Sequence, residues 1–216
     1  MKKLFFITLL AVFSIFFMYA SGDGPGTWTQ SLSSAGRIWG IAVAPSSPQT
    51  IYAASNSTGM WKSTNSGANW VQINTGLSNL ILQCVAVSPT NANVVMCGST
   101  NTGTNPGVYR SSDGGSNWTR VVTGITETNI NIQALAIDPF NPNTAYCTLF
   151  DGTTNSPNGL YKTTNGGTLW VPITTGIGTI KNFLAVAVNP LNANVVYAGT
   201  SFDPLTSTGP SKVYKS

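Results

Sequence analysis

One phrase recurs three times along this chain: GMWKSTNSGANW, GVYRSSDGGSNW and GLYKTTNGGTLW, ending at Trp70, Trp118 and Trp170. The tryptophans stand 48 and 52 residues apart. A second phrase interleaves with it, as IAVAPSSPQTIYAA, VAVSPTNANVVMCG, LAIDPFNPNTAYCT and VAVNPLNANVVYAG, carrying Pro45, Pro89, Pro139 and Pro190. Self-similarity at this period means an array of like units, none of which buries its apolar faces alone. The repeated residues are those that build the unit, so they constrain architecture more than activity.

The second unit shows how one repeat folds. Leu82 to Val87 is a short apolar, β-branched run closed by Ser88-Pro89, the pattern of a first strand. Pro89 to Asn93 supplies turn chemistry, and Val94 to Gly98 reads as strand two. A loop of variable length leads to strand three at Gly107–Ser111. A tight turn over Ser112–Asn117 precedes strand four at Trp118–Val122, and the next first strand begins near Ile130. No helical periodicity appears after the leader. Four short strands per repeat of about fifty residues predict an all-β fold, a β-propeller of four-stranded antiparallel blades.

The N-terminus carries Lys2 and Lys3, an apolar run from Leu4 to Ala20, then a Gly-rich segment. That is the pattern of a secretory signal peptide over residues 1–20. An uncleaved anchor competes with it, because 17 apolar residues reach the lower limit for spanning a bilayer. Export places the mature chain outside the cytoplasm: secreted, periplasmic or on the cell surface, with no membrane attachment after cleavage. Losing both lysines lowers the formal charge from +4 to +2. Lys62, Arg110, Lys162 and Lys215 are spread one per repeat instead of forming a stripe, which argues against nucleic acid as a partner. The chain has no histidine, so His-based metal sites and Ser-His-Asp chemistry are excluded. No metal or other cofactor is expected. Cys84 aligns with Gly40, Ala134 and Ala185, while Cys97 and Cys147 align with Ala53 and Ala198. These cysteines read as small buried residues; a cross-strand Cys84–Cys97 disulfide is the alternative.

The Trp-ended phrase resembles the Asp-box, or bacterial neuraminidase repeat, S/T-x-D-x-G-x-x-W. Its residues are Ser63, Asn65, Gly67 and Trp70; Ser111, Asp113, Gly115 and Trp118; and Thr163, Asn165, Gly167 and Trp170. Asn serves in place of Asp in two boxes, since its side-chain oxygen also accepts backbone N–H groups. Gly allows the positive φ of the turn, and Trp is expected to pack beneath it as a lid. Nearly all of the mature chain is similar to the repeats of xyloglucanase-type glycoside hydrolases, sortilin ectodomains and photosystem II stability factors. The resemblance implies Asp-box turns that are scaffold, on the strand three–four rim away from any ligand.

Residues 21–216 are then one propeller, with blades near 37–78, 79–128, 129–181 and 182–216 plus 21–32. The last blade is completed across the termini, because VYKS at 213–216 followed by SGDGPGTWTQ reads against VYRSSDGGSNWTR. A closed four-bladed ring and a part of a larger ring both fit this pattern.

Function would lie on the face formed by the strand two–three and four–one loops. Thr148-Leu149-Phe150-Asp151 and Thr200-Ser201-Phe202-Asp203 each offer an aromatic ring and a carboxylate. Phe150 and Phe202 could form a sugar platform, with Asp151 and Asp203 as a catalytic pair. The competing role is a turn cap with Phe over the blade end. Trp39, Gln83, Gln133 and Leu184 share one position at the start of the inner strands, either lining the mouth of a central channel or plugging it. Glu127, in a strand four–one loop, has no evident partner, and Asp138 reads as a turn residue. The three-arginine centre and Tyr-Glu pair of a sialidase are not matched by Arg37, Arg110 and Arg120. The expected function is a non-catalytic binding or scaffold module for a polysaccharide or an extracellular or cell-surface protein. The alternative is a glycoside hydrolase, xyloglucanase-like or otherwise glycan-degrading, or part of one.

Overall fold

The computed structural model describes residues 28–127, 129–150, 159–177, 182–200 and 211–216. Its strands pair antiparallel and fall into four sheets. The first holds β1 (Ile38–Val43), β2 (Ile51–Ser55), β3 (Gly59–Ser63) and β4 (Val71–Gln72). The second holds β5 (Leu82–Val87), β6 (Val95–Ser99), β7 (Val108–Ser111) and β8 (Thr119–Arg120). The third holds β9 (Ile132–Ile137), β10 (Ala145–Leu149), β11 (Leu160–Thr163) and β12 (Val171–Pro172). The fourth holds three strands, β13 (Phe183–Asn189), β14 (Asn192–Thr200) and β15 (Val213–Lys215). No helix occurs among the described residues. The first strands pack in chain order, β1 on β5, β5 on β9 and β9 on β13. All of this lies within the unit Ser31–Ser216. In the other unit, Met1–Gln30, the described Trp28, Thr29 and Gln30 are exposed and form no strand.

The Trp-ended turns share one hydrogen-bond pattern. The Ser63 hydroxyl donates to Asn65 Oδ1 at 2.9 Å and accepts the Gly67 amide at 2.8 Å, while Asn65 Oδ1 accepts the Asn69 amide at 2.8 Å. Ser111 with Asp113 holds Gly115 and Asn117 in the same way, and Thr163 with Asn165 holds Gly167 and Leu169. Each turn passes through the left-handed region at two successive residues. Gly114–Gly115 and Gly166–Gly167 supply both residues, whereas the first turn places Ser66 at φ 59° before Gly67.

These turns also join the sheets. Trp118 donates its indole N–H to the Ile73 carbonyl at 2.7 Å and its amide to the Thr75 carbonyl at 2.9 Å, both in the segment leaving the first sheet. Trp170 repeats this on Val121 and Thr123 at 2.9 and 2.8 Å. The indole is therefore more than a lid on its own turn. It fills the space between two sheets, where Trp118 is 4% exposed and Trp170 1%. Using the Trp118 amide on the neighbouring sheet shortens strand four to Thr119–Arg120 from the expected Trp118–Val122. From the other side, Lys62 Nζ and the Tyr52 hydroxyl both donate to the Gly114 carbonyl, at 2.8 and 3.2 Å.

Apolar cores follow the joints. Tyr52, Met60, Leu77, Val95 and Tyr109 surround Trp118, and Met96, Val108, Ile132 and Tyr161 surround Trp170. The third joint has a smaller buried core of Leu160, Phe183 and Ala198. All three cysteines are free thiols. Cys84 faces Gly98 and Cys97 faces Val85, so the two sulfurs leave opposite sides of the sheet and the Cys84–Cys97 disulfide does not form.

The expected outer strand of the last blade at 21–32 falls partly on residues 21–27, which lie outside the described residues. Among those described, no fourth strand pairs with β15. Ser31 belongs to the first sheet's turn: its hydroxyl donates to the Gly67 carbonyl and accepts the Trp70 indole N–H at 2.9 Å.

Candidate functional site

Four inner-strand positions are set apart by the ladder itself. Ile38 pairs with Ser55 and Gly40 with Ala54, leaving Trp39 without a partner. Leu82 pairs with Ser99 and Cys84 with Gly98, leaving Gln83. Ile132 with Leu149 and Ala134 with Thr148 leave Gln133, and Phe183 with Thr200 and Ala185 with Gly199 leave Leu184. Each is a β-bulge, a device that releases one residue from pairing and re-aims its side chain. The residue after each bulge is small because the next sheet lies close: a methyl group on Gly40 would stand 3.1 Å from Cys84 Cα. In the third sheet the Thr148 hydroxyl accepts the Ala134 amide at 3.0 Å, which satisfies the ladder beside the bulge.

The strands bearing the bulges pack side by side, so their side chains form a row. Gln83 Nε2 donates to Gln133 Oε1 at 3.2 Å, tying two adjacent sheets. Trp39 and Leu184, at the ends of the row, are exposed. Nothing in the row titrates near neutral pH. It offers an indole face, two linked amides and an aliphatic group, which suit stacking and neutral hydrogen bonding. Behind it, burial pushes the Cys84 thiol up to about 12 and holds the Cys97 and Cys147 thiols well above their ordinary range, so none is a ready nucleophile.

No protein-family model and no curated protein matches this chain. Solved structures do. An ancestral GH74 enzyme is 27% identical with a TM-score of 0.66, over 84% of this chain and 23% of that one. The GH74 enzyme of Niastella koreensis is 26% identical with a TM-score of 0.61, over 82% and 27%. YCF48 bound to D1 peptide is 16% identical with a TM-score of 0.53, over 89% and 60%. The fold is a β-propeller. The chain spans about a quarter of the length of the GH74 chains and about three-fifths of the YCF48 chain.

Within the propeller, the row of bulges crosses all four blades. Phe150 is half-buried, and its amide donates to the Asn131 carbonyl at 3.0 Å. Asp151, Phe202 and Asp203 lie outside the described residues. The described carboxylates have structural partners. Asp138 accepts the Phe140 and Asn141 amides at 2.8 and 3.1 Å, as a turn residue should. Asp113 is exposed, yet hydrogen bonds from Asn117 and Ser111 hold it down at about 2. Glu127 differs from its reading as partnerless. It is buried, its Oε2 accepts the Tyr161 hydroxyl, and its Oε1 is buried with no hydrogen bond among the described residues. That pairing joins residues 34 apart, and no local pattern announces it.

Proposed function

We propose that this chain is an exported Asp-box β-propeller acting as a non-catalytic binding or scaffold module for a polysaccharide or an extracellular protein segment. The observation that carries the reading is the row of bulged residues, with exposed Trp39 beside the hydrogen-bonded Gln83 and Gln133. The turn geometry of Ser63–Trp70, Ser111–Trp118 and Thr163–Trp170 supports the family assignment. YCF48 with its D1 peptide is a precedent for a peptide-bound propeller. The stacking and amide chemistry of the row suits an extended, neutral ligand.

The test is binding of xyloglucan oligosaccharides and of an extended-peptide array, read by calorimetry and Trp fluorescence. Trp39→Ala is expected to weaken binding at least tenfold with the unfolding midpoint unchanged. Binding indifferent to Trp39→Ala and Gln83→Ala removes the row from the reading.

The likeness to GH74 enzymes at 26–27% identity favours glycoside hydrolysis as a second reading. It requires Asp151 and Asp203 roughly 5–10 Å apart across a groove, as acid and base or nucleophile. Release of reducing ends from xyloglucan, abolished by Asp151→Asn, would establish it. Absence of release would retire it.

A further inference from the structure

The two joints closed by Trp118 and Trp170 differ at the rim that carries the Asp-box turns. At the first, Lys62 and its cross-strand neighbour Tyr52 both donate to the Gly114 carbonyl of the next blade's turn, at 2.8 and 3.2 Å. At the second, the equivalent pair is Arg110 and Met96, and the equivalent glycine is Gly166. Both glycines are placed alike, the Gly114 amide on the Asn93 carbonyl and the Gly166 amide on the Asn143 carbonyl. Met96, however, has no hydroxyl to give. Arg110 lies beside the turn, where a methyl group on Gly166 would stand 3.3 Å from its Nε and 3.3 Å from Asn143 Oδ1. That Nε is buried with no hydrogen bond, and the guanidinium donates none to any of the described residues. Lys62 is bonded into the frame; Arg110 stands in the same place unbonded.

Beside it is a cavity of about 300 Å³ between the second and third Asp-box turns. Pockets for small ligands run from about 300 to 1,000 Å³, so this one has room for a single small ring. Arg110 and Asp113 line it together with Ser112, Thr119, Asn143 and Thr168. Among the described residues around it, only Val121 is apolar. Asp113 is already bonded within its own turn. Its Oδ1 accepts the Ser111 hydroxyl at 2.7 Å and the Asn117 amide at 2.9 Å, and its Oδ2 accepts the Asn117 side-chain amide at 2.8 Å. The carboxylate thus adds negative charge to the cavity wall without giving Arg110 an acceptor.

These groups select a ligand by their chemistry. An unbonded guanidinium at a cavity wall calls for an oxyanion, and a planar carboxylate meets its fork with two parallel bonds. The Asp113 charge nearby opposes a second negative charge on the ligand, which disfavours sulfate and phosphate. Hydroxyl and amide side chains each donate and accept, as the neighbouring hydroxyls of a sugar ring do. An acidic peptide would bring apolar side chains, for which this lining has only Val121.

We infer that this cavity binds a uronic acid residue of an acidic polysaccharide, with the carboxylate on Arg110 and the ring hydroxyls on the surrounding amides and hydroxyls. The site is separate from the row of bulges. Arg110 and Ser111 pair with Met96 and Val95, whereas Gln83 lies beside the Leu82–Ser99 pair at the other end of the same sheet. The assignment is therefore independent of what the row binds.

The experiment is a heteronuclear NMR titration of the full chain with galacturonic acid and its short oligomers at low ionic strength, read at the Arg110 Nε–H and the Gly166 amide. Saturable shifts of both are expected, with none from galactose oligomers, which lack the carboxylate. Arg110→Gln is expected to weaken binding at least about tenfold, the scale of a lost charge-assisted pair. Arg110→Lys keeps the charge and matches Lys62 and Lys162 in the other blades, so it is expected to fold normally by circular dichroism. It is expected to weaken binding as well, because the ammonium is drawn onto the Gly166 carbonyl as Lys62 is onto Gly114. Asp113→Asn is expected to tighten galacturonate binding severalfold and to admit inorganic sulfate, a response that a purely structural role of the turn would not give. Absence of shifts at Arg110, an equal response to galactose oligomers, or no gain in Asp113→Asn overturns the inference. So do galacturonate shifts confined to Trp39 and Gln83, or a glutamate-rich peptide that moves the Arg110 and Gly166 signals where galacturonate does not.

Discussion

Between blades one and two, and again between two and three, an indole closes the space between sheets. Between blade three and the fourth sheet the corresponding residues are Ile173, Thr175 and Gly176, and among the described residues no indole rests on them. The filled joints carry continuous cores around Trp118 and Trp170, whereas the third has a cavity and a core of three buried side chains. Face-to-face packing of sheets thus accounts for only part of a joint. The rest comes from the next blade's turn, which sends a tryptophan back and receives Lys62 and Tyr52 in return.

The largest break in this comparison comes from emptying a filled seat. Trp118→Ala is expected to lower stability by about 3–5 kcal/mol, the usual loss for a large aromatic removed from a core. Urea denaturation would show it, and a loss under about 1 kcal/mol would mean that the sheets hold without the indole. Glycine substitution sharpens the contrast between the filled and open joints. Gly124→Ala and Gly176→Ala both force a side chain to positive φ, at 91° and 76°, which costs about 1–2 kcal/mol. Only the first also collides with a backbone carbonyl, adding about 1–3 kcal/mol. Equal midpoints for the two variants would show that the third seat is not open.

The smallest effect concerns the acid response of the first joint. Asp113 is lowered to about 2 in the folded protein from 3.8, so its turn hydrogen bonds favour folding above pH 4 and fade as pH falls toward 2. Asp113→Asn makes the second turn like the other two. It is expected to leave stability at pH 7 nearly unchanged and to flatten the pH dependence between 4 and 2. Unfolding curves at pH 7, 4 and 2 decide the matter, and an unchanged acid slope would place the sensitivity elsewhere.

Much of this architecture was written in local pattern. The first strand Leu82–Val87 falls where the apolar run ends at Ser88-Pro89, and the three turns make the side-chain-to-amide bonds that their Ser, Thr, Asn and Asp residues predict. The joints were harder to read, because Trp118 and Ile73 are 45 residues apart and nothing near either one names the other. Strand four is shorter than its apolar pattern predicts for the same reason, since the Trp118 amide is taken by Thr75 of the preceding repeat. The bulges leave no local signal, since the four positions Trp39, Gln83, Gln133 and Leu184 hold an indole, two amides and an aliphatic group and the apolar pattern around them continues unbroken. The repeats align these four residues with one another, and only the strand pairing sets them outside the ladder. Glu127 carries no local sign of a partner because Tyr161 stands in the following repeat.

Those bulges have a bearing on how such a protein changes over time. A residue outside the pairing ladder can be exchanged without shifting its neighbours, and here Trp, Gln, Gln and Leu occupy equivalent places while the flanking residues stay nearly alike. Each blade thus contributes one letter that the pairing ladder does not fix. On the proposed reading of the row, a change of ligand would need only the letters rewritten, one blade at a time, with the frame untouched.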